Sequence, residues 1–251
     1  KRLDEKMGLI DAQLMIAYTA SMNFGECNSP VRTWDVLINK ELSLERKAPP
    51  FHIFAPKDRE SIPGGHVKEP QVGKHGWCVS FDLNSLYPHL IMQYNISPET
   101  INKSFKLWPM ETQEGRVVRL LNREELKNLP DNHSIAASGF AFDNSFEGII
   151  PRLMRRLYND RKKYKKDMIA DQQAGRDHTY NHLKQFVMKI LLNSGYGGLT
   201  NKHYRWFDQR LGESITLSGQ FAVRTSEIAI NKWMNKLLKT ENEDYIIAID
   251  T

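Results

Sequence analysis

Two aspartates each close an apolar run. Asp82 ends Gly76-Trp77-Cys78-Val79-Ser80-Phe81-Asp82 and leads into the turn Leu83-Asn84-Ser85 ahead of Leu86-Tyr87-Pro88, and Asp250 ends the apolar segment 245–249 in the same way. A carboxylate at the end of a buried strand is costly to desolvate unless a cation neutralises it. If the two strands were neighbours in one sheet, the aspartates could share a metal pair suited to in-line phosphoryl transfer. The turn and helix start after Asp82 would offer backbone N–H groups, which suit phosphate oxygens. Each residue also has a plain alternative: Asp82 as a turn or cap residue, Asp250 as a solvated strand end.

A second group is cationic. Arg161 and Lys165 are four apart and share a helix face, and Lys189, Asn193 and Tyr196 share another at i, i+4 and i+7. Nothing acidic lies within one turn of Lys189. Two such faces opposed would suit a triphosphate, which needs several cationic donors. The plain alternative is a solvated surface. Asn193-Ser194-Gly195-Tyr196-Gly197-Gly198 gives a glycine-rich helix end where another backbone could approach closely.

The elements that must position these residues are legible to different degrees. Residues 1–23 read as a helix with Met7, Ile10, Leu14 and Ala17 on one stripe. Residues 24–75 carry Pro30, Pro49-Pro50, Pro56 and Pro63-Gly64-Gly65, and read as a connector with one short helix around 33–39. Residues 76–82 read as a buried strand and 86–94 as a short helix; 100–147 are mixed. Pro151 suits a first helical turn, and Leu153, Met154, Leu157 and Tyr158 continue the stripe. After a turn at Ala174-Gly175-Arg176-Asp177, Leu183, Phe186, Val187, Ile190 and Leu191 fit a second amphipathic helix, which completes a hairpin. A long helix over 213–238 and a strand over 245–250 close the chain.

Composition bounds the rest. With 251 residues, 40% hydrophobic and 26% charged, the chain suits one large globular domain or two small ones. No apolar run approaches the roughly 18 residues of a membrane span. The opening Lys1-Arg2-Leu3-Asp4-Glu5 is no signal peptide, and without an initiator Met the chain is expected to be processed, trimmed or a piece of something longer. Cys27 and Cys78 form no C-x-x-C, so neither a disulfide scaffold nor a cysteine zinc site is expected, and a reducing cytosol fits. The net charge of +5 is compatible with a polyanionic partner.

In order, Asp82-Leu83-x-Ser85-Leu86-Tyr87-Pro88, Lys189-x-x-x-Asn193-Ser194-x-Tyr196-Gly197 and Tyr245…Asp250-Thr251 resemble motifs A, B and C of the family B DNA polymerases, with a close match to the replicative polymerases of large tailed bacteriophages. The flanks Ser29-Pro30-Val31-Arg32-Thr33-Trp34-Asp35, Pro63-Gly64-Gly65-His66-Val67-Lys68-Glu69-Pro70, Asn95-Ile96-Ser97-Pro98-Glu99-Thr100 and Glu147-Gly148-Ile149-Ile150-Pro151 extend the resemblance along essentially the whole chain. It implies an α/β fold: a partial palm sheet carrying Asp82 and Asp250, a two-helix fingers hairpin and an N-terminal helical and irregular connector. The implied divisions are 1–75 connector, 76–147 palm, 148–198 fingers and 199–251 palm. Asp82, the Leu83 carbonyl and Asp250 would be metal ligands for two divalent ions, Mg2+ with Mn2+ possible, and both aspartates catalytic. Ser85 and Leu86 would hold the triphosphate through backbone amides, and Tyr87 would exclude a 2′-hydroxyl. Arg161, Lys165, Lys189 and Asn193 would meet the incoming nucleotide. Tyr196 and Gly197 would check the nascent base pair, and Gly64-Gly65 would touch template. The interval 171–178 is short for the family, which implies stubby fingers. The implied partners are primer-template DNA and deoxyribonucleoside triphosphates, in the cytoplasm of an infected bacterium.

Motif C in this family reads Asp-Thr-Asp-Ser, whereas the sequence stops at Asp250-Thr251, and no acidic D-x-E strand of an exonuclease precedes residue 24. The break falls where the family is known to host inteins. The leading expectation is therefore a polymerase piece, inactive alone, that either needs a second polypeptide beginning Asp-Ser or is cropped from a whole polymerase; a sliding clamp would be engaged only through regions outside this sequence. The competing readings are a non-catalytic DNA-binding fragment and a polymerase making RNA, against which Tyr87 argues.

Overall fold

The computed structural model describes residues 8–50, 62–106, 110–112, 115–117, 124 and 127–250. Among these are six helices: α1 (Leu9–Ala20), α2 (Pro30–Leu44), α3 (Leu86–Tyr94), α4 (Ile149–Gln173), α5 (Thr179–Leu199) and α6 (Gln209–Leu238). The strands are β1 (Ile101–Lys106), β2 (Met110–Thr112), β3 (Gly115–Val117), β4 (His133–Ile135) and β5 (Phe140–Asp143). β5 lies between β1 and β4, antiparallel to both, and β2–β3 is a separate hairpin.

The core is mostly helical. Trp34, Leu37 and Ile38 from α2 pack with Ile150, Leu153 and Met154 from α4, Leu191 and Leu192 from α5, and Leu211 from α6, all fully buried. The hairpin α4–α5 is the centre, and every other helix packs on one or both of its arms. Its turn needs a left-handed residue, which Gly175 supplies at φ 64°. The α4 N-terminus is capped from a distance: the Gly148 amide donates to Asn95 Oδ1 (2.9 Å), the Ile149 amide to Glu99 Oε1 (2.5 Å) and the Ile150 amide to Ser97 Oγ (3.4 Å). An acid among free amide groups at a helix start is favourable. The flanking motifs around residues 95–100 and 147–151 are thus two halves of one joint.

Several expectations change. The helix around 33–39 is twice as long, because Ser29 caps it through the Arg32 amide and Pro30 suits its first turn. On α1 the buried stripe is Ala12, Ile16, Ala17 and Ala20; Ile10 and Leu14 are half exposed, and Met7 lies outside the described residues. Small residues face the core there because α1 packs closely on α5. On α5 the buried stripe is rotated toward Lys184, Val187, Met188, Leu191 and Leu192, while Leu183, Phe186 and Ile190 are half-buried. Residues 76–82 are not a strand, and Trp77, Val79 and Phe81 are exposed. An apolar run becomes a strand only with a ladder partner, and no described segment pairs with it. Residues 245–249 likewise form no strand, only a bridge from Ile249 to Lys68. The three-stranded sheet therefore carries neither Asp82 nor Asp250, contrary to the expected sheet bearing both.

Candidate nucleotide-binding site

The turn after Asp82 docks against the hairpin. Ser85 is left-handed at φ 54° and precedes α3, with its carbonyl accepting from the His89 amide (3.1 Å) and from His89 Nδ1 (2.9 Å). Its hydroxyl accepts from Arg161 on α4 (3.2 Å). Arg161 Nε is buried without a hydrogen-bond partner among the described residues. An unsatisfied buried guanidinium donor is costly, and an anion at this point would satisfy it. Leu86 follows at the first turn of α3, half-buried.

The next residue, Tyr87, meets Tyr196 of α5 with ring centroids 4.8 Å apart and planes tilted by 56°. Burial, with a smaller contribution from Tyr87, pushes the Tyr196 phenol up to about 12, so both rings are neutral hydroxyls at ordinary pH. Gly219 of α6 backs the pair: a Cβ there would lie 3.0 Å from the Tyr87 ring. From behind, Trp34 of α2 donates its indole N–H to the Leu191 carbonyl (3.1 Å) and to Ser194 Oγ (3.2 Å). Gly195 is required for that approach, since a Cβ would fall 2.7 Å from the indole. The indole thus fixes the α5 backbone at Gly195, the residue before Tyr196, whose ring meets Tyr87.

Lys165, Lys189, Asn193 and Gly197 are exposed, and no acidic group pairs with Lys165 or Lys189 among the described residues. The α5 face carrying Lys189, Asn193 and Tyr196 is the more open side of that helix, as its spacing predicts. The one buried cation of the hairpin is Lys184, which the sequence reading passed over. Its ammonium sits over the rings of Tyr18 (4.9 Å), Tyr180 (5.6 Å) and Tyr164 (5.9 Å), joining both hairpin arms to α1.

Asp82, Leu83 and Asp250 are exposed, and neither carboxylate has a hydrogen bond or ion pair among the described residues. Hard carboxylate and carbonyl oxygens suit Mg2+ or Mn2+. Open, unpaired carboxylates leave those oxygens available, so the donor chemistry fits a divalent ion. No group of three or more His, Cys, Asp or Glu able to hold a metal occurs among the described residues. Cys27 and Cys78 are free thiols.

What holds the segment before Asp250 is a polar rail that sequence reading missed. Along α6, Gln220 donates to the Gly64 carbonyl (2.8 Å), Arg224 faces His66 (3.5 Å) and Glu227 pairs with Lys68 (2.5 Å). Further on, Asn231 Nδ2 donates to Asp244 (2.9 Å) and its Oδ1 accepts from the Tyr245 amide (2.8 Å), while Asn235 donates to the Glu243 carbonyl (2.7 Å). The positions 220, 224, 227, 231 and 235 recur at helical spacing, a signal present in the sequence but on the face opposite the one a search for apolar residues follows. Gly64 and Gly65 are exposed on this rail.

The candidate site thus comprises the turn after Asp82, the Arg161 contact to Ser85, the exposed Lys189 and Asn193 of α5, and the Tyr87–Tyr196 ring pair. The profile described as DNA polymerase family B matches residues 38–248, and the chain belongs to that family. The DNA-directed DNA polymerase of Enterobacteria phage T4 is 31% identical over 302 aligned residues, covering 99% of this chain and 32% of the relative. That of Escherichia phage RB69 is 28% identical over 300 residues, covering 100% and 32%. The chain thus spans about a third of these phage relatives, to which it is similar along its whole length. In fold it is similar to the family B DNA polymerase of the archaeon Pyrobaculum calidifontis, with a TM-score of 0.65 at 19% identity over 92% of this chain and 28% of that one. No described helix is long and apolar enough to cross a membrane.

Proposed function

We propose that this chain is the palm-and-fingers portion of a template-directed DNA polymerase that replicates phage DNA in the cytoplasm of an infected bacterium. The observation that carries the reading is the convergence at Ser85: a turn led by Asp82 meets Arg161, whose Nε lacks a partner among the described residues, two residues before Tyr87 of the Tyr87–Tyr196 pair. In this reading 1–75 is the connector, 76–147 and 199–251 are palm, and 148–198 is fingers. The Ser85 and Leu86 amides, Arg161, Lys165, Lys189 and Asn193 bind the triphosphate of a deoxyribonucleotide. Tyr87 excludes the 2′-hydroxyl, Tyr196 and Gly197 monitor the nascent pair, and Gly64-Gly65 touch template. Asp82, the Leu83 carbonyl and Asp250 would hold divalent ions, Mg2+ or Mn2+. When bound, such ions neutralise phosphate charge and lower the barrier to in-line attack by a primer 3′-hydroxyl.

Alone, the chain is expected to be inactive: neither Asp82 nor Asp250 lies on a strand of the described sheets, and the chain spans only about a third of its phage relatives. A polypeptide carrying the remaining palm and the thumb would complete the site. Primer extension with Mg2+ tests this. Product from the mixture and none from either part supports the reading; product from this chain alone, or none from the mixture, contradicts it.

A further inference from the structure

The segment that ends in Asp250 is aligned by the connector, and Lys68 is the pin. Lys68 Nζ contacts Glu227 of α6 and Asp244 at 2.5 Å each, with only a fifth of its side chain exposed. The Lys68 amide donates to the Ile249 carbonyl (3.0 Å), the residue before Asp250. Three residues on, the Gln71 amide donates to the Ile247 carbonyl (2.8 Å), and its side chain reaches the Asp244 (3.1 Å) and Ile246 (3.3 Å) carbonyls. Asp244 also accepts from Asn231 and from the Ile246 amide. One ammonium therefore ties three separate stretches of chain: the connector, α6 and the start of the segment 244–250. Among the described residues no strand flanks that segment, so this clamp and its backbone bonds set the direction in which Asp250 leaves.

We infer that Lys68 is a positioning residue for Asp250, acting through Asp244 and Glu227 and touching no substrate itself. The inference rests on Asp250 serving the polymerase reaction proposed above. A surface pair contributes little because water competes for both ions and the side chains are free to part. Here the ammonium is largely shielded and doubly paired, so removing it leaves two carboxylates close together and mutually repelling. A misplaced metal-binding carboxylate slows chemistry more than it weakens nucleotide binding, since its role grows in the transition state.

The test uses Lys68→Met, which keeps the aliphatic stem, and Lys68→Arg, which restores the charge. In the 251-residue chain, amide exchange at positions 68 and 71 should quicken about tenfold in the Met variant as the backbone pairing opens, and return toward the original rate in the Arg variant. In the reconstituted polymerase, kcat should fall roughly 10- to 100-fold, as geometric misplacement does, with KM for the nucleotide nearly unchanged. If Lys68→Met fails to fold, Asp244→Asn loosens the same clamp from its more exposed side and must reproduce both effects. Unchanged exchange overturns the inference, and so does faster exchange with unchanged kcat, or a KM effect alone. An original protein whose exchange is protected but which yields no product overturns instead the polymerase reading beneath it.

Discussion

Gly195 and Trp34 should be energetically coupled, and the coupling is large enough to measure. A Cβ on Gly195 would overlap Met154 Cε and lie 2.7 and 3.0 Å from Trp34 Cζ2 and Cε2. Met154 is unbranched and its terminal methyl can withdraw. The indole cannot, because its N–H is committed to the Leu191 carbonyl and Ser194 Oγ and only 2% of the residue is exposed. Gly195→Ala should gain about 1 kcal/mol of helix propensity and lose about 2 kcal/mol to overpacking, a net loss near 1 kcal/mol. Trp34→Phe should cost about 2 kcal/mol, from one buried hydrogen bond and part of a ring. In the double variant the crowding indole atoms are gone, and alanine keeps its helix advantage. The double variant should therefore be about 2 kcal/mol more stable than the sum of the singles, well above the roughly 0.5 kcal/mol scatter of independent sites. Urea unfolding of the four proteins measures this directly. Additive losses would refute the claim that the indole fixes the backbone at Gly195, and with it the account of how Tyr196 is aimed.

The remaining predictions concern selectivity and the clamp. Tyr87→Ala should raise ribonucleotide incorporation far more than it alters deoxyribonucleotide incorporation in the reconstituted polymerase, because the gate acts by steric exclusion; an equal loss of both would leave Tyr87 as a packing partner of Tyr196 and Gly219. Lys68, together with bonds from Asn231 and the Ile246 amide, holds the Asp244 carboxyl at about 2, below its usual 3.8. A depressed carboxyl stabilises the fold above its unfolded value and loses that contribution as pH falls through its folded one. Amide protection at Gln71 should therefore persist at pH 4 and disappear as pH drops toward about 2, whereas Asp244→Asn should lack this acid step; an acid step that survives in the Asn variant would place the titrating group elsewhere.

Much of the helical part was legible because its signals are local. The apolar spacing around Leu153–Leu157, Gly175 at the turn, and Pro30 after Ser29 each specify a backbone state without reference to distant residues. The face of Lys189, Asn193 and Tyr196 followed from helical spacing alone. Strands were not legible in this way. The runs at 76–82 and 245–249 have strand composition, but a strand is a property of a pair, and neither run finds a ladder among the described residues. Of the expected α1 stripe only Ala17 is buried among the described residues: Ile10 and Leu14 have the apolar character of buried residues, while the close approach of α5 selects Ala12 and Ala20 beside Ala17. The Lys68 clamp and the Trp34 anchor join residues more than 150 positions apart, and no local pattern announces such partners.

The central proposal is that Arg161 beside Ser85, with Lys189 and Asn193 on the other arm of the hairpin, holds a nucleotide triphosphate. Nucleotide and primer-template affinities of the reconstituted polymerase, compared before and after Lys189→Ala, test it most directly. Loss of a charge-assisted contact to phosphate is worth about 2–3 kcal/mol, a weakening of roughly 30- to 150-fold, with primer-template affinity nearly unchanged. If primer-template affinity falls while nucleotide affinity holds, the face contacts the DNA backbone instead, and the account of the site is wrong.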